Sequence, residues 1–557
     1  FNSESRPNSD SYYGKSNIDI HNISISDSVM YFSLSYIWYL QNGIYSGKNP
    51  FPIIIEDIND DGKKEMISVL PDACFYVIQH VIDDTFELLG SYLSSNTNIK
   101  YVPSFDSVNK IIVGVSNSGF YAFYATSYDN FSLKYLDIFD NPASQVIVVN
   151  PQICIEGTND TINYITSRNS DNSGIIYLYG KIDKNNWQCS VVDSFVLSDS
   201  ITCNLAYKDS LLYCATEDTI YKINICTKDV NELTQIENPK GMVLADVNND
   251  NQDEINCVTI NSDVYIFKND GSLLENFPIC LDTVAVSTPA VGDLDNNGFL
   301  DLIFTSANNV YVIDYTGEFL SISQQEISNP DTSQIFSEPT CLDFDNDGKL
   351  EICVAMSHSR IVMYDIDFNR NKPFPYESDF SIMEPFPLSF PRNIIATPTF
   401  ADLDHNGYTE IYFNADDGYV YRYVSDNPFY EDNLIWPTQY GNVERTAAYT
   451  SPEPSEPNWG ENIFVDGQVY LYPNPLCQLS GYEIHFNILV TKDANVSVKI
   501  FDIAGNLIKK VENIKCYKNV NNRTRLNLDI KDLTSGVYFV QLKARDEIKV
   551  LKLAIER

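Results

Sequence analysis

The sequence predicts an all-β protein in which a β-propeller is followed by a small immunoglobulin-like β-sandwich. Three observations support this prediction. A nine-residue acidic motif recurs five times, short β-prone segments flank each copy, and strand patterns with a period of two fill the last 90 residues. We expect residues 1–28 to be a partly disordered N-terminal lead, 29–449 the propeller, 450–467 a proline-rich linker and 468–557 the sandwich.

The acidic motif has a fixed internal pattern, which its fourth copy shows: Asp343-Phe-Asp-Asn-Asp-Gly-Lys-Leu-Glu351. Positions 1, 3 and 5 are Asp or Asn in every copy, and position 9 is Asp or Glu. Position 6 is Gly in four copies and Asn251 in the other. In chain order we name the copies acidic loops 1 to 5, and they span residues 57–65, 246–254, 293–301, 343–351 and 402–410.

The spacing of the acidic side chains suits calcium. This hard cation takes six to eight oxygen ligands at about 2.3–2.6 Å. Alternate residues of a tight loop point inward together, so positions 1, 3 and 5 supply side-chain oxygens, position 7 a backbone carbonyl and position 9 a closing carboxylate. A sharp turn at position 6 calls for positive φ, which Gly allows and Asn tolerates.

We therefore predict about five structural Ca²⁺ ions, one in each acidic loop. The predicted ligands are Asp57, Asn59, Asp61, Lys63 and Glu65; Asp246, Asn248, Asp250, Gln252 and Glu254; Asp293, Asp295, Asn297, Phe299 and Asp301; Asp343, Asp345, Asp347, Lys349 and Glu351; and Asp402, Asp404, Asn406, Tyr408 and Glu410.

Two other interpretations of the acidic loops are weaker. An EF-hand needs a Glu at position 12 and flanking helices, but the residues at position 12 are Ser68, Cys257, Phe304, Val354 and Phe413. Ordinary surface turns are also rich in Asp, Asn and Gly. Five copies with the same ligand spacing are poorly explained by turn composition alone.

The distances between acidic loops predict the architecture. Loops 2, 3, 4 and 5 begin 47, 50 and 59 residues apart, and loop 1 begins 189 residues before loop 2, close to four units. Degenerate units are expected in between, at Val102–Tyr124, Gln145–Cys189 and Ile201–Ile225. Four short strands per unit is the pattern of a propeller blade, so eight blades are favoured and seven remain an alternative. The N-terminal segments Val29–Ser33 and Tyr36–Gln41 are expected to pair with the last blade and close the ring.

Composition excludes several classes of partner. The formal net charge of −39 argues against binding nucleic acid or anionic lipid and suits a cation. The longest apolar run, near Val29–Leu40, is too short for a membrane span. The twelve cysteines form no CxxC pair, and we expect most to be buried core residues. Because the sequence starts at Phe1 without a leader, we expect a processed product or a fragment.

The five acidic loops resemble the FG-GAP/VCBS type of repeat, which is found in integrin α-subunit propellers and in many bacterial surface proteins. The stretch Trp436-Pro-Thr-Gln-Tyr-Gly-Asn-Val-Glu-Arg-Thr446 resembles the strand that often ends such bacterial propellers. The resemblance covers roughly residues 29–449. It implies a calcium-containing propeller and does not imply one particular function.

The C-terminal segment resembles the type A sorting domain of type IX secretion. The resemblance rests on Leu471-Tyr-Pro-Asn-Pro475, Val498-Lys-Ile-Phe-Asp-Ile-Ala-Gly505, Ser535-Gly-Val-Tyr-Phe-Val-Gln-Leu542 and the basic end Lys549–Arg557. It implies export across the outer membrane of a Gram-negative bacterium by the type IX export machinery, with the product kept at the cell surface or released. A spacer or carbohydrate-binding sandwich is the alternative.

No catalytic signature accompanies these features: GxSxG, HExxH, Walker and GxGxxG motifs are all missing from the sequence. We expect a binding, adhesion or scaffold module for an unknown surface protein or glycan, and not an enzyme. The alternatives are a lyase-like polysaccharide-active propeller and the non-catalytic tail of a larger exported protein. Tyr419, Tyr421 and Tyr423 share one strand face, for core packing or as a sugar-stacking platform.

Overall fold

Four-stranded antiparallel sheets recur along residues 38–436, and most are formed by strands that follow one another in sequence. The structure is a computed structural model. It describes residues 18–21, 33–36, 38–39, 48–72, 74–80, 86–92, 98–155, 160–281, 283–285, 287–307, 309–317, 319–322, 334–357, 360–368, 378–382, 388–389, 392–405, 407–451, 463–472, 483–492, 494–503, 505–516, 522–527, 535–545 and 547–555. Most of the predicted N-terminal lead and of the predicted linker lies outside this part of the chain.

Seven such sheets and one six-stranded sheet occur in this part of the described chain, and we call them blades 1 to 8 in chain order. Blades 1 to 4 consist of β4 (Ile54–Glu56), β5 (Glu65–Val69), β6 (Phe75–His80) and β7 (Phe86–Tyr92); β8 (Ser104–Asp106), β9 (Ile111–Ser116), β10 (Gly119–Ser127) and β11 (Asn130–Asp137); β12 (Ile147–Cys154), β13 (Thr161–Ser170), β14 (Ser173–Tyr179) and β15 (Val191–Val196); and β16 (Ala206–Lys208), β17 (Leu211–Ala215), β18 (Thr219–Asn224) and β19 (Asp229–Gln235).

Blades 5 and 6 repeat the same four-strand order, and blades 7 and 8 each gain a strand from elsewhere in the chain. Their strands are β20 (Pro239–Ala245), β21 (Glu254–Thr259), β22 (Asp263–Phe267) and β23 (Ile279–Cys280); β24 (Ala290–Gly292), β25 (Asp301–Thr305), β26 (Val310–Ile313) and β27 (Phe319–Ile322); β28 (Thr340–Leu342), β29 (Glu351–Met356), β30 (Arg360–Phe368), β31 (Ser378–Ile382) and β32 (Leu388–Ser389) with β36 (Leu434–Trp436); and β33 (Thr399–Ala401), β34 (Tyr408–Asn414) and β35 (Val420–Pro428) with β3 (Trp38–Tyr39).

These sheets confirm the propeller prediction and the eight-blade alternative that the loop spacing favoured. Blades 2, 3 and 4 lie where the three degenerate units were expected. The second strands β5, β21, β25 and β29 are buried along their whole length. They therefore read in the sequence as short continuous apolar runs, which is the pattern of a strand covered on both faces.

The ring is closed by contacts between the two ends of the propeller. In β3, Trp38 pairs with Arg422 and Tyr39 with Tyr421, so an N-terminal strand completes blade 8 as expected. The other expected N-terminal strand, Val29–Ser33, lies outside the described residues except for Ser33. Ser33 begins β2 (Ser33–Tyr36), which pairs with β1 (Ile18–His21). Blades 8 and 1 also pack together through a cluster of buried residues: Ile53, Ile55, Met66, Ile78, Ala401, Leu403, Tyr412 and Val420. Closure removes the open sheet edges that favour aggregation.

Residues 433–449, which we call the inner strap, bind the first strands of several blades. Backbone N–H groups in or next to the first strands of blades 2, 3, 4, 5 and 7 donate to strap carbonyls at 2.8–3.0 Å. With the donor given first, the pairs are Phe105–Val443, Val148–Glu444, Tyr207–Thr446, Leu244–Ala447 and Asp343–Asn433. A 3₁₀ turn at Glu431–Asn433 leads into the strap, which continues as β36 and pairs there with β28. Because one short segment reaches five first strands, these strands converge on a common axis.

Aromatic side chains pack within the blades and between them. Phe75 of blade 1 stacks on Phe123 of blade 2 with ring centroids 4.2 Å apart. In blade 8, Tyr421 and Tyr423 are buried and Tyr421 stacks on Phe413. The core-packing interpretation of these two tyrosines is therefore correct, and a sugar-stacking role for them is wrong. Cys74, Cys214, Cys257 and Cys353 are buried, also as expected.

Residues 463–555 form a separate compact unit of seven described strands in two sheets. The strands are β37 (Phe464–Tyr472), β38 (Glu483–Val490) and β41 (Asn522–Asn527) in one sheet, and β40 (Leu507–Cys516), β39 (Ala494–Phe501), β42 (Gly536–Ala544) and β43 (Glu547–Ile555) in the other. Residues of both sheets share one buried core, which includes Phe486, Val498 and Val540. This is the sandwich that the period-two patterns predicted. Among the described residues no helix is long and apolar enough to cross a bilayer.

Candidate metal centres

Each acidic loop occupies the same place in its blade, between the first and the second strand. Loops 1 to 5 join β4 to β5, β20 to β21, β24 to β25, β28 to β29 and β33 to β34. The strand entering the loop and the strand leaving it are antiparallel neighbours, as in the pairing of Glu56 with Glu65. Any ion held by the loop therefore links two adjacent strands of one blade.

The loop backbone turns twice through the left-handed region. At position 6 the φ angles lie between 65° and 89°, at Gly62, Asn251, Gly298, Gly348 and Gly407. This confirms the positive φ expected there, including the tolerance of Asn251. Position 4 also has positive φ, between 53° and 62°, at Asp60, Asn249, Asn296, Asn346 and His405. The ligand spacing did not predict this second turn, although Asp, Asn and His are the non-glycine residues enriched in that conformation.

The side chains at positions 1, 3 and 5 accept hydrogen bonds from the loop's own backbone. In loop 4 the N–H of Asp347 donates to Asp343 Oδ1 and to Asp345 Oδ1, both at 3.1 Å. The N–H of Gly348 donates to Asp343 Oδ2 at 3.1 Å, and the N–H of Lys349 to Asp347 Oδ1 at 2.8 Å. Loops 1, 2 and 3 repeat all four bonds, at 2.7–3.2 Å. The turns thus hold these side chains in one arrangement.

The position 9 carboxylates are buried in all five loops, each no more than 1% exposed: Glu65, Glu254, Asp301, Glu351 and Glu410. One oxygen of each accepts the N–H of the residue at position 2, at distances of 2.6–3.1 Å. This bond fixes the carboxylate against the start of its own loop. The other oxygen differs between the loops: in loop 2 Glu254 Oε1 accepts from Asn248 Nδ2 at 2.7 Å, and in loop 5 Glu410 Oε1 accepts from the guanidinium of Arg422.

Two of these remaining oxygens, Glu65 Oε1 and Asp301 Oδ1, are buried and have no hydrogen-bond partner. Burial raises the pKa of Glu65 to about 8 and that of Asp301 well above its ordinary value, and neighbouring carboxylates raise both further. Burial likewise raises the pKa of Glu254 to about 7, of Glu351 to about 9 and of Asp343 to about 6. A buried, unpaired carboxylate is strongly unfavourable. These sites therefore need a bound cation or a proton.

The loops also gather further oxygen ligands. Three carboxylates offer oxygens within 4.8 Å of one another in loop 3 (Asp293, Asp295, Asp301), loop 4 (Asp343, Asp345, Asp347) and loop 5 (Asp402, Asp404, Glu410). Loops 1 and 2 carry Asn at position 3 instead. Asn59 Oδ1 and Asn248 Oδ1 accept from the N–H of position 5, as the Asp residues do elsewhere. A set made only of oxygen ligands fits calcium.

At position 7 the predicted ligand is the backbone carbonyl, so the prediction places no demand on the side chain. Lys63, Gln252, Phe299 and Lys349 each donate their N–H to the position 5 side chain, which sets the direction of the peptide units around position 7. Tyr408 begins β34. Asn406, the position 5 residue of loop 5, lies outside the described residues.

In loop 5 a buried cationic side chain contacts two of the acidic residues, whereas the lysines near loops 1 and 4, Lys110 and Lys349, are partly exposed. The guanidinium of Arg422, from β35, donates through Nη2 to Asp404 Oδ2 and to Glu410 Oε1. The Arg422 side chain is 2% exposed. Arg422 was not among the predicted site residues because it lies outside the nine-residue motif.

Comparisons with known proteins agree with this geometry. The profile of the FG-GAP-like repeat matches residues 246–304 and 293–354, which contain acidic loops 2, 3 and 4. The chain is thus a β-propeller with FG-GAP-like repeats. The profile of the secretion system C-terminal sorting domain matches residues 470–556, so this propeller carries a type IX sorting domain at its C-terminal end.

Solved structures resemble the chain only distantly. The crystal structure of Saccharomyces cerevisiae Sqt1 is 12% identical and covers 69% of this chain and 98% of its own, with a TM-score of 0.48. BBS1N in complex with ARL6DN, soaked with lead, is 13% identical and covers 70% of this chain and 96% of its own, with a TM-score of 0.37. No curated protein matches significantly. Similarity at this level says nothing about function.

Proposed function

We propose that this chain is an exported β-propeller whose blades are braced by calcium, and that it serves as a non-catalytic binding or scaffold module at the surface of a Gram-negative bacterium or after release from it. The observation that carries the calcium proposal is the buried position 9 carboxylate with an oxygen that lacks a partner, at Glu65 and Asp301. Oxygen-only loops around these atoms support the same assignment.

The ion would act on stability. Bound in a loop, it would balance the negative charge of positions 1, 3, 5 and 9 and tie the first strand of a blade to the second. Each ion would also offset part of the net charge of −39, whose self-repulsion opposes the compact state. Because calcium would bind the folded propeller and not the unfolded chain, stability should rise with free calcium.

The sorting domain supports export, and the type IX machinery is the partner it implies. It does not identify the ligand of the propeller, which we propose to be a surface protein or glycan. One candidate binding position is a cavity of about 280 Å³ between strands of blades 2 and 3. Its lining includes Asn109, Asn150, Gln152, Asn163 and Lys181, whose amide and ammonium groups suit the hydroxyls of a sugar or the backbone of a peptide.

Metal analysis and calorimetry of the full chain test the calcium proposal. We expect bound calcium after dialysis and a melting temperature that falls when a chelator is added. Replacing Asp343, Asp345 and Asp347 together by Ala should remove one ion, whereas Glu232→Gln, which removes an exposed acid of β19, should remove none. A metal-free protein with an unchanged melting temperature would overturn the proposal.

Ligand screening tests the binding role. A glycan array and capture from the native cell surface should identify a ligand whose binding is weakened by Asn109→Ala or Lys181→Ala if the cavity is used. Polysaccharide substrates should give no new ultraviolet absorbance. Appearance of the absorbance of unsaturated sugars would instead assign the propeller as a lyase and overturn the non-catalytic role.

A further inference from the structure

We propose that the guanidinium of Arg422 takes the place of calcium in acidic loop 5, so that the blade that closes the ring is braced without a metal ion. This inference rests on the proposed calcium-binding function of the other four loops. It lowers the expected number of ions by one from the count that the motif alone suggests.

The contacts of Arg422 satisfy the carboxylates that calcium would otherwise bind. Its Nη2 bridges Asp404 Oδ2 and Glu410 Oε1, and the three side chains are 2%, 7% and 0% exposed. The other oxygen of Glu410 accepts the N–H of Leu403 at 2.9 Å and the hydroxyl of Tyr412 at 2.6 Å. Both oxygens of Glu410 are thus paired, and one of them with a cation. In loops 1 and 3 an oxygen of Glu65 and of Asp301 has no partner, and in loop 2 Glu254 Oε1 accepts only from the neutral amide of Asn248.

The equivalent position in the other blades is apolar. In loops 1, 2 and 4 the residue twelve places after position 9 is Val77, Ile266 and Met363, and in loop 3 Val312 stands eleven places after it. Each of these residues lies on the third strand of its blade. Its partner on the second strand is the residue two places after position 9, and the pairs are Ile67–Val77, Asn256–Ile266, Ile303–Val312 and Cys353–Met363. All four are fully buried. Arg422 stands twelve places after Glu410.

The Arg422 guanidinium and calcium would compete for the same carboxylates of loop 5, and the fixed charge of the guanidinium favours Arg422. A buried arginine cannot lose its proton at neutral pH, and its planar donors match carboxylate oxygens. Calcium entering the same loop would meet a fixed positive group in a poorly solvated site, where like charges repel strongly. It would also find Asp404 and Glu410 already engaged. The ligands of loop 5 therefore do not fit the ion that the motif implies.

Arg422 lies in the blade that closes the ring, so its charge bears on how the ring closes. Blade 8 receives the N-terminal strand β3 and contacts blade 1, where Thr399 Oγ1 donates to the Ile53 carbonyl at 2.9 Å and Asn414 Nδ2 to the Phe51 carbonyl at 3.0 Å. An internal cation allows this junction to form whatever the calcium concentration. Ring closure would then precede metal binding elsewhere, and calcium would stabilise a ring that is already closed.

Calcium stoichiometry of the full chain tests the inference. Arg422→Met places in blade 8 the side chain that blade 7 has at the equivalent position, Met363. This variant should bind one more ion than the wild type. The reciprocal change Met363→Arg should bind one fewer. Asp404→Asn should leave the stoichiometry of the wild type unchanged but remove the extra ion from the Arg422→Met protein.

The outcomes separate this inference from the proposed function. If wild-type protein binds calcium and Asp404→Asn alone loses one ion, loop 5 is an ordinary calcium site and the inference is wrong. An Arg422→Met protein that folds in calcium and gains no ion also overturns it. If Asp343→Asn with Asp345→Asn removes no ion from the wild type, the calcium proposal itself fails. Since Asp404→Asn retains Arg422, the test remains decisive should Arg422→Met not fold.

Discussion

Arg445 Nε donates a hydrogen bond to the carbonyl oxygen of Pro103, 342 residues earlier in the chain, at 3.1 Å. The same guanidinium donates through Nη1 to Thr438 Oγ1 and to the carbonyls of Gln439 and Asn442. Arg445 is 1% exposed. It therefore folds the inner strap on itself and anchors it to the residue that precedes the first strand of blade 2.

We expect Arg445→Ala to destabilise the propeller by about 3 kcal/mol or more, because several buried carbonyls lose their donor at once. Denaturant unfolding of the full chain in excess calcium measures this change. Arg168→Ala is the control, since Arg168 pairs with a largely exposed Asp140 and its loss should lower the free energy of unfolding by less than about 1 kcal/mol. Equal effects of the two substitutions would show that the strap is not held by Arg445.

The turn in the inner strap at Gly441 tests how tightly the strap is packed. Gly441 has a φ of +85°, and a Cβ there would lie 2.9–3.1 Å from the indole ring of buried Trp436. Gly62 of loop 1 has the same φ of +85°, but nothing lies within 4 Å of its added Cβ. In excess calcium, Gly62→Ala should cost about 1 kcal/mol for backbone strain alone, and Gly441→Ala at least about 2 kcal/mol. Similar losses would contradict the packing against Trp436.

Glu65→Gln should affect stability in opposite ways in the absence and in the presence of calcium. Without metal, folding must bury this carboxyl either as a charge without a partner for Oε1 or with a proton that the unfolded chain does not hold at neutral pH. Gln avoids both costs, so the free energy of unfolding should rise by about 1–2 kcal/mol. With saturating calcium it removes a ligand, so the calcium-dependent rise in melting temperature should be smaller than in the wild type. Calorimetry in chelator and in calcium measures both. Destabilisation in both conditions would count against a metal at loop 1, and Glu232→Gln controls for net charge.

Glu338 gives a prediction for pH. Burial raises the pKa of its carboxyl to about 7, and the hydrogen bond from Gln439 Nε2 at 3.0 Å offsets this only in part. The folded state therefore holds a proton that the unfolded chain releases above pH 4.5. The contribution of the Glu338 carboxyl to the free energy of unfolding is therefore fully present below about pH 4.5. It falls by up to about 3 kcal/mol as the pH rises through about 7. Glu338→Gln should flatten this part of the stability curve, and an unchanged slope between pH 5 and 8 would refute the assignment.

The C-terminal sandwich should fold as an isolated fragment, residues 463–557. Its two sheets share their own core, and Glu547 accepts the N–H groups of Ile463 at 2.5 Å and Phe464 at 3.3 Å. Circular dichroism should show cooperative unfolding that does not depend on calcium. Leu542→Ala, at a fully buried position, should lower the free energy of unfolding by about 3 kcal/mol, and exposed Lys543→Ala should have little effect. A fragment without a cooperative transition would contradict this domain boundary.

The sequence was most informative where structure is local. The positions of the acidic side chains, the positive φ at Gly62 and Asn251 and the strands on either side of each loop all follow from spacing within nine to fifteen residues. The stretch after Trp436 was less predictable. It does not continue as a blade strand beyond β36, because its backbone carbonyls bind the first strands of other blades, such as Phe105 of β8, which pairs with Val443 far along the chain.

By itself, the sequence determined the propeller class, the favoured number of blades, the oxygen-rich loops and the sorting sandwich, since each depends on a repeated local pattern of charge and hydrophobicity. Only the tertiary structure decided which loop carries its own cation. Arg422 lies beyond the motif, and it reaches Asp404 and Glu410 because β35 folds back beside β34. A contact made by strand pairing depends on register in three dimensions, which a ligand-spacing pattern does not encode.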